Sequence, residues 1–139
     1  EALDQVADPD LRDELYRVWK LEPKYRLAGI HTWVMAVFTK RPDIAEEVSQ
    51  IISVASLSEV DLLRLGEAYR RVEDFKGAMP IYAQLVVVSS ENAKYHATYA
   101  ALLANAGRMA EARAEAKESI RIDPSFAKDA NGFLQQLSQ

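Results

Sequence analysis

The sequence predicts an all-α protein in which short helices pack as antiparallel pairs. Two observations support this: the hydrophobic pattern recurs after 34 residues, and within each segment the apolar residues have helical spacing. A single helix pair of this size cannot bury its apolar face alone, so successive pairs have to stack. The pattern therefore predicts an α-solenoid with about seven to eight helices along the 139 residues.

The repeat is clearest between residues 59–92 and residues 93–126. In both segments a large residue is followed, three positions later, by a large–small pair and then by another large residue. A small residue follows after a turn, where the second helix has to approach the first. The matched residues are Leu62, Leu65, Gly66, Tyr69 and Ala78 in the first segment, and His96, Tyr99, Ala100, Leu103 and Ala112 in the second.

This pattern resembles the tetratricopeptide repeat, a helix–turn–helix unit of 34 residues. The resemblance implies a right-handed superhelix of antiparallel helix pairs. In that family, small residues let the paired helices approach, and large residues fill the space between neighbouring pairs. His96 and Ala116 depart from the pattern, because the family prefers larger residues at both positions.

The same register, carried outward, divides the rest of the chain. Residues 25–58 are interpreted as a degenerate repeat, residues 8–20 as the second helix of a truncated repeat, and residues 127–139 as a C-terminal capping helix. We therefore expect one helical-repeat domain over residues 1–139, cut from a longer protein. The predicted apolar face of the second helix in the degenerate repeat comprises Ile44, Val48 and Ile51.

Local signals mark several helix boundaries. Gly107 lies at the turn between two paired helices, where a permissive residue is needed. Ser58 and Asp61 resemble a capping box at the start of a helix. Pro80 falls inside a predicted second helix, so we expect that helix to begin late, near Gly77, or to kink.

Composition limits the classes of function. The net charge of −4 argues against a general nucleic-acid binder, which would carry a basic footprint. The chain has no cysteines, which excludes disulfides, thiolate zinc sites and cysteine nucleophiles. No run of apolar residues is long enough to cross a bilayer, so we expect no membrane insertion. The sequence does not separate a cytoplasmic from a periplasmic location.

Residues suited to catalysis are scarce. His31 and His96 are the only histidines, and both fall at core-facing positions of their repeats, which favours packed side chains. Glu111, Glu115 and Glu118 alternate with basic residues at helical spacing, which is typical of a solvated face. No metal or phosphate motif occurs. We therefore expect a protein that is not an enzyme and has no cofactor or metal.

In the tetratricopeptide family, the first helices of successive units line a concave groove that holds partner segments. The resemblance implies a basic and apolar groove here, with Trp33 at its apolar end. We expect a protein or peptide partner, extended or helical, with acidic residues and an apolar anchor. The alternative is that the arginines are ordinary surface charges and that Trp33 belongs to the core. The implied groove residues are Arg26, Trp33, Leu63, Arg64, Glu67, Arg70, Arg71, Lys94, Thr98 and Asn105.

Three functional hypotheses follow. The first is a non-catalytic protein-interaction scaffold, because the repeat is clear and catalytic motifs are absent. The second is a C-terminal regulatory or assembly domain of a larger enzyme, such as the membrane-bound bacterial glycan-processing enzymes that carry similar repeats. The third is self-association, because an unpaired helix at residues 8–20 would leave apolar surface that another copy could cover.

Overall fold

A computed structural model describes residues 7–137 of the chain, and no strand occurs within that range. Eight α-helices follow one another there, which confirms the predicted fold class and helix number. The last two residues of the predicted capping helix, 138–139, lie outside the described range. The helices are α1 (Pro9–Leu21), α2 (Arg26–Phe38), α3 (Pro42–Ile51), α4 (Glu59–Arg71), α5 (Phe75–Val88), α6 (Ala93–Asn105), α7 (Met109–Ile122) and α8 (Ala127–Leu137).

The helices group into two compact units. Unit 1 ends at Asp74 and contains α1–α4, and unit 2 begins at Phe75 and contains α5–α8. Within unit 1, α2 packs against α1, α3 and α4. Within unit 2, α6 packs against α5 and α7, and α7 packs against α8. The assignment of residues 1–139 to one helical-repeat domain stays a prediction.

Three turns that follow a first helix share one backbone structure. Lys40, Glu73 and Gly107 have positive φ values of 57°, 60° and 81°. In each turn the next N–H donates to a carbonyl five residues back, which closes the helix with a Schellman motif. The three hydrogen bonds are Arg41 to Ala36 at 2.8 Å, Asp74 to Tyr69 at 2.9 Å and Arg108 to Leu103 at 2.9 Å. The predicted turn at Gly107 is confirmed, and the other two form without glycine.

The core of unit 1 is built around α2, which is buried on nearly all sides. Gly29 on this helix faces the end of α1, and an added Cβ would lie 2.7 Å from both Trp19 Nε1 and Ile52 Cδ1. The prediction that Ile51 faces the core is wrong, because its side chain is 64% exposed and Ile52 is 2% exposed. Helix α3 ends at Ile51, and the extended backbone of Ile52 turns the next side chain inward.

Of the two outcomes expected at Pro80, the late helix start near Gly77 is wrong, and the kink stays a prediction. Helix α5 begins at Phe75, so Pro80 is its sixth residue and lies beyond the first turn. Proline lacks an N–H, so the helix loses the hydrogen bond that would reach the carbonyl of Lys76. Burial of the opposite face compensates for this loss, since Tyr82 is only 1% exposed.

Side-chain caps fix the starts of several helices. The Asp8 carboxylate accepts the N–H groups of Asp10 and Leu11 at the start of α1, each at 3.0 Å. Ser58 Oγ accepts the N–H of Asp61 at 3.2 Å, as the capping signal predicted. Such caps satisfy backbone donors that have no partner within the helix.

Between residues 7 and 137, no helix has the length and apolar character that a bilayer crossing requires.

Candidate functional site

Trp33, the predicted apolar anchor, lies inside unit 1. Its side chain is 2% exposed, and its Nε1 donates a hydrogen bond to the Tyr69 hydroxyl at 2.9 Å. Burial raises the pKa of Tyr69. Ile30 and Val37, on the same stripe of α2, are 4% and 5% exposed. Trp33 therefore packs in the interior and offers no exposed anchor to a partner.

The signal that could have placed Trp33 correctly is the composition of α2. From Leu27 to Phe38 this helix has no charged side chain, so it is apolar on more than one face. A helix of that kind is buried all round, unlike an amphipathic surface helix. Arg26, at its first turn, remains exposed and donates to Ser56, to the carbonyl oxygen at 3.3 Å and to Oγ at 3.2 Å.

Helix α4 carries five of the predicted groove residues on partly exposed surface. Leu63, Arg64, Glu67 and Arg70 are half-buried, and Arg71 is exposed. These residues lie within a little more than two turns of one helix, so the structure brings them together in unit 1.

The charges on α4 are balanced, and the helix does not carry a positive excess. Its three arginines are matched by Glu59, Asp61 and Glu67. Arg70 Nη1 lies 3.1 Å from Glu67 Oε1, and Arg64 Nη1 lies 3.8 Å from Asp61 Oδ1. Both pairs have i,i+3 spacing, so the sequence itself contains the signal that these charges offset one another.

Val60 supplies an exposed apolar side chain on α4, with 66% of its surface accessible. It lies one turn before Arg64. Because residues four, seven and eleven positions apart share a helix face, Val60 shares its face with Arg64, Glu67 and Arg71. This face combines one apolar group with alternating charges.

In unit 2, the predicted residues lie on α6. Lys94 and Asn105 are exposed and Thr98 is half-buried, whereas Tyr95 and Leu102 are 6% and 4% exposed. The predicted partner face of this helix is thus its solvent-facing side. It carries fewer charges than the face on α4.

A pocket of about 430 Å³ lies beside His96 in unit 2. His96 Nδ1 is 2.8 Å from Glu115 Oε2, and Nε2 is 2.8 Å from the carbonyl oxygen of Ser90. Burial raises the pKa of Tyr99, which also lines the pocket. The pocket is lined by Ser90, Glu91, His96, Tyr99, Leu103, Glu111, Ala114, Glu115 and Glu118.

The acidic residues of this pocket have basic neighbours. Glu111 binds Arg108 at 2.7 Å and Glu118 binds Arg121 at 2.6 Å, and these hydrogen bonds lower the pKa of both carboxyls. Within residues 7–137, no cluster of three or more His, Asp or Glu side chains is arranged to hold a metal ion.

Comparison with known proteins gives partial matches in sequence. No family model matches the chain. The inactive TPR repeat-containing thioredoxin TTL3 of Arabidopsis thaliana is 35% identical over 68 residues, which cover 49% of this chain and 10% of that protein. DnaJ homolog subfamily C member 7 of Homo sapiens is 35% identical over 63 residues, or 45% of this chain and 13% of that protein. The chain thus spans about a tenth of the length of these curated relatives.

One solved structure matches the chain over nearly its whole length. PcrH from Pseudomonas aeruginosa aligns over 95% of each chain with a TM-score of 0.53 and 12% sequence identity. At that identity the likeness concerns the fold alone. It extends over both the clear repeats and the degenerate segment before them.

Proposed function

Because the chain belongs to the tetratricopeptide-repeat family, we propose that it is a scaffold that holds a partner protein or peptide. Repeats of this kind stack helix pairs and present the outer surface of those helices to other proteins. The recurrence of one turn at Lys40, Glu73 and Gly107 supports the repeat organisation on which the proposal depends.

The observation that carries the proposal is the exposed face of α4. Val60 and Arg71 are exposed there, and Arg64 and Glu67 are half-buried between them. An apolar side chain followed by arginines on the same face can engage a partner through contact area and through charge-assisted hydrogen bonds. The face lies on a helix, which positions these groups more firmly than a loop would.

The partner that fits this face carries acidic residues and an apolar side chain. Partner carboxylates can compete for Arg64 and Arg71, because exposed pairs within a helix contribute only about 0.3–0.5 kcal/mol. The apolar group of the partner would lie against Val60, since Trp33 is buried. An extended segment or an amphipathic helix would satisfy both requirements.

Charge reversal on α4 tests the proposal. The variant Arg64→Glu/Arg71→Glu places carboxylates where the partner's acids would bind. We expect its affinity for the partner to fall at least about tenfold, which corresponds to about 1.4 kcal/mol. Proteins retained by the immobilised chain are identified by mass spectrometry, and the dissociation constant is then measured with the purified partner.

A matched control separates the face from net charge. Lys76→Glu/Lys117→Glu makes the same change of net charge at exposed positions on α5 and α7. This variant should bind the partner as the unaltered chain does, and added salt should weaken the binding of both. Equal binding by all three proteins, or equal loss in both variants, would show that the face on α4 is not the binding surface.

The solvent-facing side of α6 is a second surface for the same function. Lys94, Thr98 and Asn105 lie on it, and we expect Lys94→Glu to weaken binding of an acidic partner less than the change on α4 does. A smaller effect is expected because this change reverses one charge, whereas the change on α4 reverses two. The dissociation constant of the purified partner provides the measurement.

Self-association is a second candidate function that one observation favours. Leu11, Leu15 and Val18 form a stripe along α1 and are only half-buried, and Leu21 at the end of that helix is 73% exposed. Another copy could cover this stripe. Light scattering across a range of concentrations tests this, and a constant monomer mass would exclude it. A role within a larger enzyme stays a prediction.

A further inference from the structure

One end of unit 1 exposes large apolar side chains. Leu21, at the end of α1, is 73% exposed, and Tyr25, in the turn that follows, is 61% exposed. Leu27 in the first turn of α2 and Ile51 at the end of α3 are 57% and 64% exposed. With Val60 at the start of α4, these are all the exposed large apolar residues within residues 7–74.

Hydrogen bonds connect the segments that carry these residues. Lys20 Nζ lies 2.6 Å from Glu47 Oε2, which joins the later parts of α1 and α3. Arg26, at the start of α2, donates to Oγ of Ser56 at 3.2 Å, in the segment that follows α3. The end of α1, the start of α2 and the end of α3 therefore meet on one side of unit 1. We name this surface the apolar end, and it comprises Leu21, Tyr25, Leu27 and Ile51.

Charge is distributed unevenly along α1 and the turn that follows it. At the apolar end, residues 20–27 contain three bases and one acid, and Lys20 among them pairs with Glu47. At the opposite end of the helix, residues 8–14 contain four acids and one base. The whole chain has a net charge of −4, so residues 20–27 are a basic segment of an acidic protein.

We propose that the apolar end docks on the surface of an anionic membrane, with its leucine and tyrosine side chains at the headgroup boundary. Binding at such an interface scales with the apolar area that is buried and with the attraction between basic side chains and anionic lipids. Tyr25 suits this position because its ring is apolar and its hydroxyl is polar. Lys24 and Arg26 have long aliphatic stems, so their charges reach headgroup phosphates while the stems lie against apolar groups.

The shape of the apolar end favours a bilayer over a peptide. Leu21, Tyr25 and Leu27 each expose more than half of their surface, so they project from the unit. Peptide segments are commonly held in grooves, whereas a fluid interface accommodates projecting side chains without a matching cavity.

The acids at the start of α1 oppose this contact only weakly. The helix has 13 residues, which separates its two ends by about 20 Å. This distance exceeds the electrostatic screening length of about 8 Å at physiological ionic strength. The membrane therefore interacts mainly with the basic segment.

Co-sedimentation with lipid vesicles tests the proposal. Vesicles of phosphatidylcholine containing about one third phosphatidylserine are compared with vesicles of phosphatidylcholine alone. The unaltered chain should bind the anionic vesicles at least about tenfold more tightly, and added salt should weaken that binding. Leu21→Ser/Leu27→Ser should lower the affinity about tenfold, because less apolar area is buried. Lys24→Glu/Arg26→Glu should remove the preference for anionic lipid.

Matched controls separate the apolar end from general properties of the chain. Val87→Ser/Val88→Ser removes two exposed apolar side chains from α5, and Lys76→Glu/Lys117→Glu reverses two charges at exposed positions. Both variants should bind anionic vesicles as the unaltered chain does. Equal losses in the control and test variants would overturn the proposal, as would an unaltered chain with no preference for anionic vesicles.

A fluorescent label provides a readout that does not depend on a loss of binding. The chain has no cysteine, so Ala55→Cys and Ala7→Cys each take one environment-sensitive dye at an exposed position. Ala55 lies beside Ser56 near the apolar end, and Ala7 lies before the start of α1. Anionic vesicles should shift the emission of the Ala55 label to the blue and leave the Ala7 label unchanged.

The same variants identify a second copy as the occupant if the membrane proposal is wrong. Equal shifts of the two labels, or no shift of either, would contradict docking through the apolar end. A mass that rises with concentration in light scattering, is restored to the monomer by Leu21→Ser/Leu27→Ser and occurs without vesicle binding would assign the apolar end to self-association.

Discussion

Gly107 and Gly132 allow the cost of one backbone conformation to be measured. An added Cβ at either glycine would meet no atom within 4 Å, so substitution by alanine causes no steric contact at either position. The difference lies in the backbone, because Gly107 has a φ of +81° in the turn before α7, whereas Gly132 lies within α8.

Gly107→Ala should destabilise the chain by about 1 kcal/mol. Placing a side chain in the left-handed region costs roughly 1–2 kcal/mol, and the reduced freedom of the unfolded chain offsets about 0.4–1 kcal/mol of this. Gly132→Ala should instead stabilise the chain by about 0.5–1 kcal/mol, since alanine is the better helix former in a helix interior. The two changes have opposite signs although they add the same methyl group.

Unit 2 contains no tryptophan, so urea titrations of both variants are followed by circular dichroism, which detects the loss of helix in both units. The free energies of unfolding of the two variants should differ by about 1.5–2 kcal/mol. Equal free energies would refute the assignment of the left-handed turn, as would a Gly107→Ala variant more stable than the unaltered chain.

Three further predictions concern unit 1. Lys40→Gly and Glu73→Gly should each stabilise the chain by about 0.5–1 kcal/mol in urea titrations, because both residues have positive φ. Gly29→Ala should shift tryptophan fluorescence and lower stability, by about 1 kcal/mol once the helix preference of alanine is subtracted, because the new methyl group would overlap the buried indole of α1. A hydrogen bond from Lys20 lowers the pKa of Glu47. The stabilisation from this hydrogen bond is therefore present at pH values above the ordinary carboxyl pKa and is lost as the pH falls through the lowered pKa of Glu47. Glu47→Gln should therefore reduce the sensitivity of unit 1 fluorescence to acid.

The sequence predicted the architecture because repeated spacing constrains many residues at once. The small residues Ala78, Ala100 and Ala112 are 0–1% exposed, as close helix crossing requires. A helix boundary was predicted wrongly where the local preference of one residue and the packing of the whole helix pointed to different positions. Pro80 was expected near a helix start because proline disfavours a helix interior, but tertiary packing of α5 outweighed that local preference.

The candidate site was predicted less well than the fold, for a physical reason. Periodicity assigns residues to a helix face, but whether that face meets solvent depends on which other elements cover it. On α2 the stripe that contains Trp33 is buried, whereas on α4 the equivalent stripe from Val60 to Arg71 is partly exposed. The two stripes have the same spacing, so spacing could not distinguish them.

The difference between these stripes also bears on the partner. With Trp33 buried, most of the contact area on α4 must come from Val60, Leu63 and the aliphatic parts of the arginine side chains. Such a surface lacks the aromatic residue that dominates many interfaces, so charge should determine much of the affinity and of its salt dependence. We therefore expect Arg64→Ala/Arg71→Ala to retain more binding than the charge-reversed variant but to lose most of its dependence on salt. If the alanine variant binds as weakly as the glutamate variant and keeps the salt dependence, other residues recognise the partner's acids.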